Sequence, residues 1–166
     1  MSLERGTNTL DSGAYYYDVY ECADGRYVAL GPIEPQFYRE LLQRCGIDDP
    51  QFQRQWEQGD WPVLKAKLAA LIHTRDRDDW CRLLEGSDAC FAPVLSMKEA
   101  PSHPHNRARG TFVDSGGGSQ PAPAPRLGRT VRELAGGASE VWTVSSASFL
   151  LVPTRPEGPR LIQPAV

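Results

Sequence analysis

The reading turns on Asp18 to Leu42, DVYECADGRYVALGPIEPQFYRELL. Asp18 to Ala23 favours an extended chain, with Val19 and Tyr20 among strand-preferring neighbours. Asp24-Gly25 supplies a two-residue turn, because a type I′ hairpin needs two positive φ angles. Arg26 to Ile33 is the return strand. Pro35 sits where a helix begins, with φ preset and no amide hydrogen to lose. Phe37, Tyr38, Leu41, Leu42 and Cys45 share one helical face, and Gly46 ends the helix. A hairpin therefore feeds directly into a helix, with Glu34 at the joint. A carboxylate there faces the positive end of the helix dipole and several free amide hydrogens, which favours its ionised form. Such a group can orient a histidine or accept a proton. It can equally serve the helix alone, and the spacing leaves both open.

Extended to Arg5–Tyr38, RGTNTLDSGAYYYDVYECADGRYVALGPIEPQFY, the stretch resembles the α-methylacyl-CoA racemases, part of the family III CoA-transferase superfamily. The resemblance continues through Asp88-Ala89-Cys90, Pro93-Val94 and the Pro-Ala-Pro-Arg run at 123–126, covering residues 5–130. It implies an α+β fold, a small antiparallel sheet with three or four helices, like the small domain of these enzymes. It implies interconversion of (2R)- and (2S)-2-methylacyl-CoA thioesters by α-proton exchange through an enolate. The thioester acidifies the α-carbon, and a base is needed on each face. In the family the acid/base pair is a histidine and an aspartate of a large CoA-binding domain, which lies mostly N-terminal to the part present here. By the same resemblance Glu34 supports that histidine from the small domain of a partner subunit. Leu10, Tyr17 and Ile33 match the apolar acyl-chain surface. No cofactor is implied, acyl-CoA being the substrate. The implied partner is a second copy in an interlocked homodimer, or a separate chain carrying the large domain.

Two other readings stand beside this one. Acyl-CoA:carboxylate CoA-transferases of the same superfamily use an aspartate nucleophile, also outside the part present. Many carry a glycine-rich loop before the equivalent hairpin, where this chain has Asp11-Ser12-Gly13-Ala14 with a single glycine. The third reading is an inactive fragment serving as an interaction module.

The remaining sequence bounds the answer. At 166 residues there is room for one ordinary domain with arms, and 40% hydrophobic with 23% charged residues are globular values. A net charge of −3 gives no electrostatic case for nucleic acid or an anionic membrane surface. No run approaches a membrane span, and MSLERGTNTL lacks the apolar core of a secretory signal. Cys22, Cys45, Cys81 and Cys90 are scattered, which suits four free thiols and a cytoplasmic location.

Tyr15, Tyr16 and Tyr17 must alternate faces if extended. Trp61, Leu64, Leu68, Leu71 and Ile72 form a helical stripe after an Asp60 cap and Pro62. A third helix, begun by Thr74 or Asp76, turns Trp80, Cys81, Leu83 and Leu84 inward and stops at Gly86. Ala89 to Met97 reads as a strand, with Pro93 confining it to an edge or a bulge. His73, His103 and His105 fall outside the family's histidine motif, and His-x-His alone is a weak metal signal, so both later histidines read as surface residues. Thr111 to Asp114 is one more short strand. Gly116-Gly117-Gly118 lacks the Gly-Lys-Ser/Thr of a phosphate loop and leads into PAPAP, which reads as an extended linker. The organisation expected is a small domain at 1–114, a linker at 115–130 and a divergent tail at 131–166, with a β-rich run VWTVSSASFLLV from Val141.

Overall fold

The computed structural model describes residues 3–114 and 118–125. The chain forms two compact units, Met1–Asn106 and Arg107–Val166. In the first, β1 (Asp18–Glu21), β2 (Tyr27–Leu30) and β3 (Phe91–Val94) form an antiparallel sheet in the order β1-β2-β3. Asp18 lies opposite Leu30, and Leu30 opposite Phe91, which makes β2 central. Pro93 therefore sits on an edge strand, where its missing amide hydrogen removes no bond needed by a neighbour.

The hairpin turn differs from the two-residue type. Gly25 alone in this turn has positive φ, at 72°. Its amide donates to the Cys22 carbonyl at 3.1 Å, and the Cys22 amide donates to the Arg26 carbonyl at 2.7 Å. This is a type I turn closed by a left-handed glycine, the usual three-residue hairpin loop. Asp24 keeps negative φ because its carboxylate accepts the Arg26 amide at 3.2 Å, a local bond that fixes the turn. The return strand also stops at Leu30 rather than Ile33. Beyond it the Gly31 amide donates to the Cys90 carbonyl at 2.9 Å, and Pro32 has no amide to continue the ladder.

The three tyrosines do not alternate. The chain turns at Ala14–Tyr17, with the Tyr17 amide donating to the Ala14 carbonyl at 3.1 Å. Tyr15 and Tyr16 both enter the core, and Tyr17 turns out to 37% exposure. The Tyr15 and Tyr38 hydroxyls share a hydrogen bond, and Tyr38 donates onward to the Phe52 carbonyl at 2.7 Å. Burial pushes the Tyr15 hydroxyl up to about 12 and those of Tyr20 and Tyr38 higher, so all three stay neutral donors.

Helix α1 spans Pro35–Cys45 and ends as expected at Gly46, φ 66°. The Gly46 amide donates to Gln43 and the Ile47 amide to Leu42, a Schellman closure that brings Ile47 back onto the core. Helix α2 is Trp61–Ile72 and α3 is Arg77–Leu84. Asp60 and Asp76 hold the cap positions without side-chain capping bonds. Their stripes bury Trp61, Leu64, Leu68, Ile72, Trp80 and Leu84, while Leu71, Cys81 and Leu83 are half-buried. Each buried leucine or isoleucine contributes roughly 2 kcal/mol on leaving water. The Trp80 indole donates to the Ile72 carbonyl at 2.8 Å, which ties α3 to the end of α2. All four cysteines are free. No helix among the described residues is long and apolar enough to cross a membrane.

A short helix, α4 (Pro104–Ala108), crosses the boundary between the units. In the second unit β4 (Phe112–Asp114) pairs antiparallel with β5 (Ser119–Pro121). Thr111 to Asp114 is thus a strand, but its partner comes from the stretch read as linker. The stretch read as linker therefore contributes strand β5 to the second unit. The 131–166 tail, including VWTVSSASFLLV, lies outside the described residues.

Candidate functional site

The segment Gly31–Glu34 is fixed by nearly all its backbone groups. The Gly31 amide is bonded to Cys90 and the Ile33 amide to the Gly31 carbonyl, each at 2.9 Å. The Pro32 and Ile33 carbonyls both accept from the Gln55 carboxamide, at 3.2 and 2.9 Å. The Glu34 carbonyl accepts the Tyr38 amide at 3.0 Å, the first bond of α1. Pro32 is fully buried, Ile33 is half-buried against the core, and Glu34 is exposed. Its backbone is extended (φ −72°, ψ 142°) and its carboxylate makes no capping bond to the helix. The joint thus presents a carboxylate that α1 does not use, on an anchored base.

Beside it runs a groove of about 460 Å³. Its floor is the cross-strand row Val19–Ala29–Ala92, set by the register of all three strands. Leu10 and Tyr17 form one wall, and Gly31, Cys90 and Phe91 close the end toward Glu34. A Cβ on Gly31 would lie 3.5 Å from the Tyr17 ring, so that ring rests on the bare glycine backbone. Leu10 is 62% exposed and owes its place to a tight N-terminal turn. There the Asn8 amide donates to Asp11 at 2.7 Å and the Gly13 amide to the Asn8 carbonyl at 3.0 Å. Of the four residues read from the sequence, Leu10 and Tyr17 line the groove. Ile33 and Glu34 do not line it and stand just past its Gly31 end.

The charges around the groove are accounted for. Burial raises the Asp18 carboxyl, but bonds from Lys65, the Val19 amide and Ser12 outweigh it and hold it below its ordinary value. Lys65 pairs with Asp18 and donates to the Ser12 carbonyl at 2.5 Å, so its charge is taken up within the wall. Cys90 has a left-handed backbone, φ 48°. Burial first, then the negative charges of Glu34 and Asp88, push its thiol up, so it stays protonated. The influence of Glu34 on Cys90 is the electrostatic link between carboxylate and groove.

The histidines lie elsewhere. His73 and His105 are exposed, while His103 is half-buried with Nε2 3.3 Å from a Glu85 oxygen. Among the described residues no group of three or more histidines, cysteines and carboxylates could hold a metal ion. Gln55 and Lys65 carried no local sequence signal, because each acts across a long chain separation. Gly31 and Cys90 lie in stretches that carry the family resemblance, but their place at the groove comes from the fold.

The model of CoA-transferase family III matches residues 2–141. This chain belongs to CoA-transferase family III. Within the family it is 43% identical over 127 residues to the mouse protein named alpha-methylacyl-CoA racemase, covering 76% of this chain and 33% of that one. The human protein of the same name is 41% identical over 124 residues, covering 74% and 32%. The chain thus spans about a third of the length of the curated relatives it matches. A solved structure of Rv3272 from Mycobacterium tuberculosis superposes with a TM-score of 0.56 at 17% identity, over 69% of this chain and 33% of that one, a likeness of fold.

Proposed function

We propose that this chain supplies the small-domain half of an α-methylacyl-CoA racemase-type isomerase. In this reading Glu34 orients and charge-stabilises a histidine base brought by a large CoA-binding domain. The domain belongs to a second copy in a homodimer or to a separate chain. The groove of Leu10 and Tyr17, with Ile33 beyond its end, carries the apolar acyl chain of a 2-methylacyl-CoA. A proton removed from one face of the α-carbon leaves an enolate, and its return to the other face inverts the centre.

The observation that carries the proposal is the unused Glu34 carboxylate, held on a fixed backbone beside an apolar groove. The carboxylate makes no capping bond to α1, which leaves its oxygens available to a group beyond the helix. The identity to the mouse and human racemases supports the reaction class. The CoA-transferase alternative asks for a glycine-rich loop before the hairpin. The turn here has one glycine, Gly13, with a Cβ position only 2.4 Å from the Asn8 carbonyl oxygen, so it is a clamped turn.

The test is α-proton exchange with a 2-methylacyl-CoA in heavy water, followed by NMR. This chain alone should show none. A chimaera in which it replaces the matching third of the mouse relative should exchange. Exchange by the chain alone would overturn the half-site reading, and a folded chimaera that transfers CoA to a carboxylate without exchange would favour the transferase.

A further inference from the structure

Gln55 is a buried polar side chain, 6% exposed, in a loop with no helix or strand of its own to support. Its Nε2 uses both hydrogens on consecutive carbonyls, Pro32 at 3.2 Å and Ile33 at 2.9 Å. Those carbonyls precede the first turn of α1, and Pro35 at the first helical position has no amide to offer. Gln55 is itself held, since the buried Trp61 indole donates to its carbonyl at 2.9 Å. A relay runs from Trp61 at the start of α2, through Gln55, to the peptide that carries Glu34.

Resting on the racemase-type reading above, we propose that Gln55 is a positioning residue for Glu34. Its carboxamide locks the Pro32–Ile33 backbone and so aims the Glu34 carboxylate past the Gly31 end of the groove. A carboxamide suits this task and its isosteres do not. Methionine fills the space without a donor and leaves two carbonyls unsatisfied, and a glutamate would set an acceptor against two acceptors. Glutamine also joins two carbonyls at once, which fixes the orientation of the peptide plane as well as its position.

The test uses Gln55→Met and, as a second variant, Trp61→Phe, which keeps a core ring but loses the indole donor and part of the ring volume. Phe52→Leu serves as a control that loosens the same region without touching the relay. In the chain alone, amide hydrogen exchange at Ile33 and Tyr38 should accelerate strongly in Gln55→Met and less in Trp61→Phe. Protection at Leu68 and Trp80 should persist. In the chimaera, Gln55→Met should lower kcat by roughly ten- to hundredfold with KM nearly unchanged, since a small misplacement of a catalytic group is costly. The control, at matched loss of Tm, should keep kcat. Unchanged Ile33 and Tyr38 protection, or an unchanged kcat in Gln55→Met, overturns the proposal. A folded wild-type chimaera with no exchange overturns the racemase reading instead, and the protection data on the chain then decide the positioning by themselves.

Discussion

Two glutamates of the same unit are held in opposite ways. Glu99 is consumed by its surroundings. Its carboxylate accepts both terminal nitrogens of the buried Arg77, at 2.7 and 3.3 Å, and the Ser96 amide at 2.9 Å. The Glu99 amide donates to the Ser96 hydroxyl oxygen at 3.2 Å, completing a capping box. Arg77 also donates to the Val94 carbonyl at 3.0 Å, so the cluster ties α3 to the end of β3. At Glu34 the order is reversed: the backbone takes the bonds and the carboxylate is left open. A structural acid spends its oxygens on the fold. The Glu34 carboxylate, by contrast, makes no bond to the helix it precedes, which is the feature the proposed role relies on.

The sharpest way to break this contrast on the stability side is Arg77→Leu. It strands a carboxylate and a carbonyl, and should cost roughly 2–3 kcal/mol by urea denaturation. Glu99 is partly hydrated, which keeps the loss below that of a fully buried pair. A loss under about 0.5 kcal/mol would remove Glu99 from the structural class.

Next comes Gly13→Ala, which places a methyl against the Asn8 carbonyl and should cost about 1–3 kcal/mol. Its effect should fall on the turn that carries Leu10. Gly59→Ala, with nothing within 4 Å of the added carbon, should stay within about 0.5 kcal/mol and serves as the matched control.

Acid supplies a third comparison. Arg77 first, then the Ser96 bonds, hold the Glu99 carboxyl far below the usual carboxylate range. A depressed folded value stabilises the fold above the unfolded pKa, about 4.3, and that contribution disappears as pH falls through the folded value. Chemical denaturation between pH 5 and roughly 2 should therefore show a steeper loss in the wild type than in Glu99→Gln. Parallel curves would contradict the assignment.

The smallest effect on stability belongs to Glu34→Gln. An exposed carboxylate without a capping bond should change the unfolding free energy by less than about 0.5 kcal/mol. A larger loss would mean that Glu34 serves the fold after all.

What the sequence disclosed was local. The Pro35 start and Gly46 stop of α1, the edge position of Pro93 and the stripes of α2 and α3 all follow from short-range rules, and all stand. The hairpin was legible, but its turn type was not, because the Asp24 side chain bonds the Arg26 amide and favours a different loop. Tyr15 and Tyr16 share the core because the chain turns at Ala14, and no alternation rule anticipates that. The β4–β5 pair was hidden because proline and glycine composition says linker while pairing depends on the partner strand. The Ser96–Glu99 capping box fits an S-x-x-E pattern that sequence reasoning missed, and the burial of Arg77 against it has no local signal. The site divides in the same way. Glu34, Leu10, Tyr17 and Ile33 rest on motif resemblance, while Gln55 and Lys65 reach the region only through the fold.

The most direct test of the central claim is α-proton exchange by the chimaera carrying Glu34→Gln, measured beside its thermal unfolding. The account predicts a fall of roughly 10²–10⁴-fold at an unchanged Tm, the signature of a group that acts on a catalytic base. Full exchange in that variant would contradict it and leave Glu34 as an ordinary surface residue at the start of a helix.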